Sequence, residues 1–218
     1  MLVSAAPFLI LSLIHIAGEG LRYRPVRYLS KPFLMPALAL FYILNTGAPS
    51  GLLIAAIAGG WLGDLFLMLP DRTEGKLYFK LGLLSFLLGH LFYAAAFVSR
   101  GAFRFDSLLS LAAAVLILVY CGAVFIKLKP FMGKLFIPIT AYIDVIALMG
   151  IAVTSCIYTQ PLNAALTALA GAVIFMISDT LNAWNRFASE IPNERVYTMT
   201  TYLAGQFLLV LGFLCFIP

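Results

Sequence analysis

Charge is what this chain has least of. Only 11% of its 218 residues are charged, 63% are hydrophobic, and the mean hydropathy is +1.03. A soluble domain sits nearer one quarter charged. So small a polar complement cannot cover a water-facing surface, which excludes an ordinary soluble fold. A bilayer removes the need for that surface but requires every backbone N–H and C=O to be paired internally, leaving helices or a closed barrel. Barrel strands read as alternating segments of about 10 residues. The apolar runs here are long and continuous, so the expected fold is all-α, a polytopic transmembrane helical bundle.

Other absences narrow the chemistry. The three cysteines, Cys121, Cys156 and Cys215, lie in or beside apolar runs without metal-ligand spacing, and an odd count excludes a complete disulfide framework. The two histidines, His15 and His90, lack the local companions of a zinc site. No P-loop, GxSxG, HExxH or CxxC occurs. No metal and no redox cofactor is therefore expected. The net charge of +5 does not point to nucleic acid, because the basic residues cluster at the ends of apolar runs, as helix anchors do. The N-terminal stretch has no basic region before its apolar run and no small-residue cleavage site leading into a soluble domain, so it reads as a first span.

Eight spans are expected, near 1–18, 32–48, 51–70, 77–98, 106–126, 134–155, 161–184 and 198–217, the second being the shortest. Connections this short leave no room for a soluble domain, and no internal repeat is evident, so residues 1–218 read as a single transmembrane domain. The basic residues alternate by loop. Arg22, Arg24, Arg27 and Lys31 fall in the first loop, Arg72, Lys76 and Lys80 in the third, Lys127, Lys129 and Lys134 in the fifth, and Arg186 and Arg195 in the seventh. Only Arg100 and Arg104 fall on the other side. The positive-inside rule then puts both termini outside the cytoplasm.

Against this apolar background the ionisable residues stand out, since each costs roughly 2.5–3.5 kcal/mol at a helix centre on insertion scales. They are His15, Glu19, Asp64, His90, Asp144 and Asp179. The topology puts Asp64 and Asp179 near the cytoplasmic ends of spans three and seven. His15 and Glu19 approach the same side, where Lys31, Tyr202 and Gln206 also enter, while His90 and Asp144 lie nearer the midplane. In span seven Asp179, Asn182 and Arg186 share a face, with Ser178 and Asn185 beside them. In span three Gly59, Gly60 and Gly63 permit close approach of a helix or a substrate chain beside Asp64. Phe86, His90, Tyr93 and Phe97 form one stripe of span four.

Each has a plainer reading. His90 and Tyr93 also suit interhelical hydrogen bonding. Lys31 reads first as an orientation anchor, Glu19 as its partner or that of a nearby arginine, and Asp144 as a structural partner. Asp64 and Asp179 are the strongest functional candidates: each lies in an apolar helix with no basic residue one turn away on its own helix.

An ordered set of motifs runs through the chain: Lys31-Pro32, Gly63 through Met68, Phe86 through Gly89-His90 to Tyr93, and Pro138 with Tyr142 and Met149. It continues with Gly171 through Phe175 and Ser178-Asp179 to Leu181, Ala183, Asn185 and Phe187, and closes with Tyr202 and Gln206. This set resembles the YhhN-like lysoplasmalogenase family of eight-span membrane proteins. Asn182 departs from the family pattern, which is more often apolar there. The resemblance implies hydrolysis of the vinyl-ether bond of a lysoplasmalogen, with a lysophospholipid substrate, membrane lipids as surroundings and no nucleic-acid partner. The products would be a fatty aldehyde and glycerophosphoethanolamine or glycerophosphocholine.

Such hydrolysis begins with protonation of an alkene carbon, gives an oxocarbenium-like cation, and ends with water addition and collapse of a hemiacetal. Two carboxyl groups in distinct environments can divide those roles. The expected pair is Asp64 and Asp179, with His90, Tyr93, Ser178 and Asn185 orienting water or the leaving oxygen. Lys31 and Arg186 would hold the phosphate, Tyr142, Asn182, Tyr202 and Gln206 would line the substrate site, and the lipid chain would lie near the glycines of span three. Compactness suggests a bacterial inner membrane. Two other classes stay open. A transporter also buries charge along a path, although no repeat halves or broken helices are visible. An intramembrane aspartyl protease also uses two aspartates, although Trp61 stands where its motif needs a second glycine before Gly63.

Overall fold

The computed structural model describes residues 2–70 and 77–217. Among them are eight α-helices and no strand: α1 Leu2–Gly20, α2 Arg24–Asn45, α3 Gly51–Met68, α4 Leu77–Gly101, α5 Leu108–Leu128, α6 Phe136–Thr159, α7 Leu162–Phe187 and α8 Glu194–Leu214. Two short 3₁₀ turns, Lys129–Phe131 and Gly133–Leu135, connect α5 to α6. All but α2 are long and apolar enough to cross a membrane. The protein is an integral membrane protein with an all-helical fold. Arg72 and Lys76, expected as anchors, lie outside the described residues.

The expected span boundaries match the helices within a few residues except at α2. That helix begins at Arg24, not near residue 32, and carries Arg27 and Lys31 on its first turns. Pro25 at its start explains the early onset, since proline's fixed φ suits the first helical turn. The polar opening leaves only about its last three turns purely apolar, which is why it falls short as a span by composition. Pro36 inside the helix leaves the carbonyl of Pro32 without its intrahelical donor. The Trp61 indole N–H of α3 donates to that carbonyl at 2.8 Å. The residue that breaks the protease motif thus repairs a helix.

The chain forms two compact units, residues 1–93 and 94–218. In the first, α2 is the packing centre: Leu34, Met35, Leu38, Phe41 and Tyr42 are buried with Phe8 of α1 and Leu53, Ala56 and Ile57 of α3. The Tyr42 hydroxyl accepts the Ser50 N–H at 2.9 Å, tying α2 to the N-cap of α3. A Cβ on Gly59 would lie 2.6 Å from the Cα of Gly89, and one on Gly63 would lie 2.5 Å from the Phe86 ring. The glycine face of α3 is therefore filled by α4. This corrects the expectation that a lipid chain lies there: backbone and an aromatic ring already occupy the space.

In the second unit α7 and α8 form the tightest pair. Gly171 meets the backbone of Leu209, Gly205 that of Phe175, and Gly212 that of Ala168. Small residues on both helices allow this backbone-to-backbone approach, which supplies packing where no hydrophobic driving force exists between helices in lipid. The Ser178 hydroxyl donates to the Thr198 carbonyl at 2.9 Å and fixes the register of the pair. At the other end Gln160 joins two segments at once, donating to Arg100 O at 3.0 Å and accepting the Ile217 N–H at 2.8 Å.

Candidate functional site

In the first unit, α2 delivers two cations one turn apart, each to a carboxylate on a neighbouring helix. Lys31 Nζ lies 3.0 Å from Asp64 Oδ1 of α3, and Arg27 Nε lies 2.7 Å from Glu19 Oε2 of α1. Asp64 is 3% exposed and Glu19 8%, so both pairs are largely withdrawn from solvent. A buried carboxylate without a partner is expensive, and these pairings offset that cost. Lys31 is therefore more than an orientation anchor. Glu19 pairs with a nearby arginine, one of the two alternatives expected, and not with Lys31.

Beside these pairs lies a hydrogen-bonded chain that sequence reading missed. His15 Nδ1 is 2.7 Å from Ser30 Oγ, and Ser30 donates its proton to the Val26 carbonyl at 2.6 Å. With the Ser30 hydrogen so used, His15 Nδ1 must be the donor. His15 Nε2 then faces Glu19 Oε1 at 3.7 Å. The available signal was the spacing of Arg27, Ser30 and Lys31, which puts three polar side chains on adjoining faces of one helix. On α4, His90 Nδ1 lies 2.6 Å from the Phe86 carbonyl, which only accepts, so the ring proton sits on Nδ1. His90 and Tyr93 are both buried.

In the second unit the Tyr142 hydroxyl of α6 donates to Asp179 Oδ2 of α7 at 2.9 Å. One residue on, Thr180 Oγ1 lies 2.7 Å from the Tyr120 hydroxyl of α5. Two tyrosines from two helices thus converge on consecutive residues of α7. The Tyr120–Thr180 contact was not anticipated, since neither residue stands out within an apolar run. Tyr202 of α8 packs edge-on against Phe175, with centroids 5.4 Å apart, and Gln206 is buried one turn further along α8.

Four other polar residues sit differently. Asn182 and Arg186 are on the exposed side of α7. Asn185 accepts the Ile191 N–H at 2.8 Å and donates to Glu194 Oε2 at 3.4 Å, so it holds the turn between α7 and α8. Thr198 donates to the other oxygen of Glu194 at 2.5 Å. Asp144 faces outward from α6, in line with exposed Ile137, Ala141 and Leu148.

Each unit thus holds a buried or half-buried aspartate against a side chain of different charge: a lysine ammonium on Asp64, a tyrosine hydroxyl on Asp179. Comparison with known proteins places the chain. Lysoplasmalogenase TMEM86B of Mus musculus is 30% identical over 182 residues, covering 84% of this chain and 72% of the relative. Lysoplasmalogenase TMEM86A of Homo sapiens is 30% identical over 166 residues, covering 74% of this chain and 62% of the relative. The uncharacterized membrane protein YhhN of Escherichia coli O157:H7 is 26% identical over 189 residues, covering 84% of this chain and 85% of the relative. No solved structure matches. The sequence profile of the YhhN family matches residues 26–213, a stretch that holds both aspartates, and the chain belongs to that family.

Proposed function

We propose that this protein is a membrane lysoplasmalogenase, hydrolysing the vinyl-ether bond of a lysophospholipid with Asp64 and Asp179 as its two carboxyl groups. The observation that carries the reading is the match to relatives named lysoplasmalogenase across 84% of the chain. The different partners of the two aspartates support a division of labour. Asp64, ion-paired with Lys31, enters as a carboxylate. It is suited to stabilise the oxocarbenium-like cation and to take a proton from the attacking water. Asp179, held by an uncharged tyrosine hydroxyl, is suited to be the acid. It gives its proton to the alkene carbon. Water adds at the carbon bearing the ether oxygen, and the hemiacetal collapses as its hydroxyl proton passes to Asp179 and the ether oxygen takes the proton held by Asp64 and leaves as the glycerol hydroxyl. One water is consumed and both carboxyl groups return to their starting states.

The remaining roles follow. His90 and Tyr93 orient water or the leaving oxygen, together with Ser178. Lys31 answers the phosphate as well as Asp64, and exposed Arg186 meets the phosphate at the surface. Tyr142, Tyr202 and Gln206 line the substrate site with Asn182 near its mouth, and Asn185 keeps the α7–α8 turn in place. The basic residues gathered on alternate loops support a site toward the cytoplasmic half. The match along most of the E. coli relative supports a bacterial inner membrane as the setting. The test is turnover of a lysoplasmenyl lipid by Asp64→Asn and Asp179→Asn. Each is expected to lose about 10³-fold or more, with the double variant little worse than the poorer single, as groups acting as one unit behave. Near-normal turnover in both folded variants would remove the aspartates from the chemistry.

A further inference from the structure

A groove opens between α5 and α7, with a volume of about 280 Å³. Ala113, Leu116 and Tyr120 line it from one side, and Leu169, Val173 and Met176 from the other. Apart from the Tyr120 hydroxyl its wall is hydrocarbon and thioether. Its length follows from the helix rise: residues 113 to 120 span about 11 Å. One leaflet contributes roughly 15 Å of hydrocarbon, half of the 30 Å core. The volume lies just below the usual range of small-ligand sites, about 300–1,000 Å³. These dimensions hold part of one extended chain and do not hold two.

The polar groups mark which end of that chain is which. At the Tyr120 end, the Tyr120 hydroxyl meets Thr180 at 2.7 Å and the Met176 carbonyl at 3.4 Å. Asp179 is the neighbour of Thr180. Tyr142, which donates to Asp179, packs on the same buried cluster as Tyr120, formed by Ile117, Cys121, Ile146, Ala147 and Met176. The groove is therefore apolar along its length, and hydroxyl and carboxyl groups gather only where Tyr120 closes it.

We propose that the α5–α7 groove is the binding site for the single hydrocarbon chain of the lipid substrate, with the Tyr120–Thr180 pair marking where chain gives way to polar linkage. The proposal rests on the lysoplasmalogenase reading and replaces the glycine face of α3 as the place for the chain. A chain seated here passes its reactive end to Asp179 and keeps its methyl end toward Ala113 and Leu169. Leu116 and Val173, which line the groove from α5 and α7, then set chain-length preference.

Two measurements on the full-length protein in lipid nanodiscs test this. The first is photolabelling of the unaltered protein with a lysophospholipid that carries a diazirine at its chain terminus. Adducts are expected on the 113–117 and 169–173 segments, and labelling confined to other segments overturns the proposal. This readout does not need catalysis, so it holds whether or not the protein cleaves vinyl ethers. The second compares kcat/KM for long (about 16-carbon) and short (about 8-carbon) alkenyl chains in Leu116→Trp and Val173→Trp, each methylene being worth about 0.8 kcal/mol when buried. The long-to-short ratio is expected to fall at least tenfold. An unchanged ratio in active variants, with both chains losing equally, overturns the groove assignment. Absence of vinyl-ether cleavage by the unaltered protein would instead overturn the functional reading, leaving the labelling result to decide the groove.

Discussion

Removing Lys31 tests how Asp64 is held in an apolar helix. The ammonium lies 3.0 Å from Asp64 Oδ1, with the aspartate side chain 4% exposed and the lysine 18%. At an effective dielectric of 20 the bare attraction is about 5–6 kcal/mol, and desolvation of both groups offsets much of it. Breaking a buried pair by deleting one partner typically costs about 3–5 kcal/mol, because a charge is left uncompensated. Lys31 reaches partly to the surface, so the low end applies, and Lys31→Met is expected to cost about 3 kcal/mol. For a chain of this size that is a fall of about 6–12 °C in melting temperature. Asp64→Asn strands only the lysine, which can extend toward water, and is expected to cost about 1 kcal/mol. The Lys31→Met/Asp64→Asn double variant carries no stranded charge and is expected to recover at least about 2 kcal/mol relative to Lys31→Met. The assay is thermal unfolding of all four proteins in one lipid environment. If the two single losses simply add in the double, to within about 0.5 kcal/mol, the pair is not coupled and the reasoning fails.

Two further predictions follow from the geometry. Gly59→Ala forces a Cβ to within 2.6 Å of the Gly89 Cα and is expected to cost about 1–3 kcal/mol, whereas Gly122→Ala meets nothing within 4 Å and should gain about 0.5–1 kcal/mol; paired melting curves check both. Tyr142→Phe removes a hydrogen bond to Asp179 and is expected to lower kcat on lysoplasmenyl lipid about 10–100-fold, because Asp179 becomes a carboxylate as it gives up its proton and bonds to charged groups are worth about 1.5–3 kcal/mol; steady-state kinetics on protein of unaltered melting temperature reads it.

Much of the fold was legible because lipid imposes one rule on long apolar runs. Seven span boundaries could be read from where charge, proline and asparagine interrupt those runs. The second could not, because α2 starts inside a basic segment: Pro25 permits the early start, and Arg27 and Lys31 are accommodated by carboxylates on other helices. The Glu19–Arg27 pair was among the alternatives the sequence offered, but Lys31 and Asp64 lie far apart in the chain, so composition along one helix cannot reveal their pairing. The same holds for Tyr142 and Asp179, 37 positions apart. Asp64 and Asp179 were legible as exceptions to an apolar background, but their partners were not. The glycines of α3 signalled close approach correctly, yet a helix and a lipid chain leave the same signature, and only the position of Gly89 and Phe86 decides for the helix. Asn185 looked like part of the Asp179 face by helical spacing, while its bonds run to the following turn.

The most direct test of the central claim is identification of the products. Purified protein in nanodiscs is incubated with a lysoplasmalogen and, separately, with an acyl lysophospholipid of the same head group and chain length, and both mixtures are resolved by mass spectrometry. The account predicts a fatty aldehyde and the glycerophospho head group from the first, formed in equal amounts, and no fatty acid from the second. Release of fatty acid from the acyl lipid, or an intact lysoplasmalogen after prolonged incubation with folded protein, would contradict it.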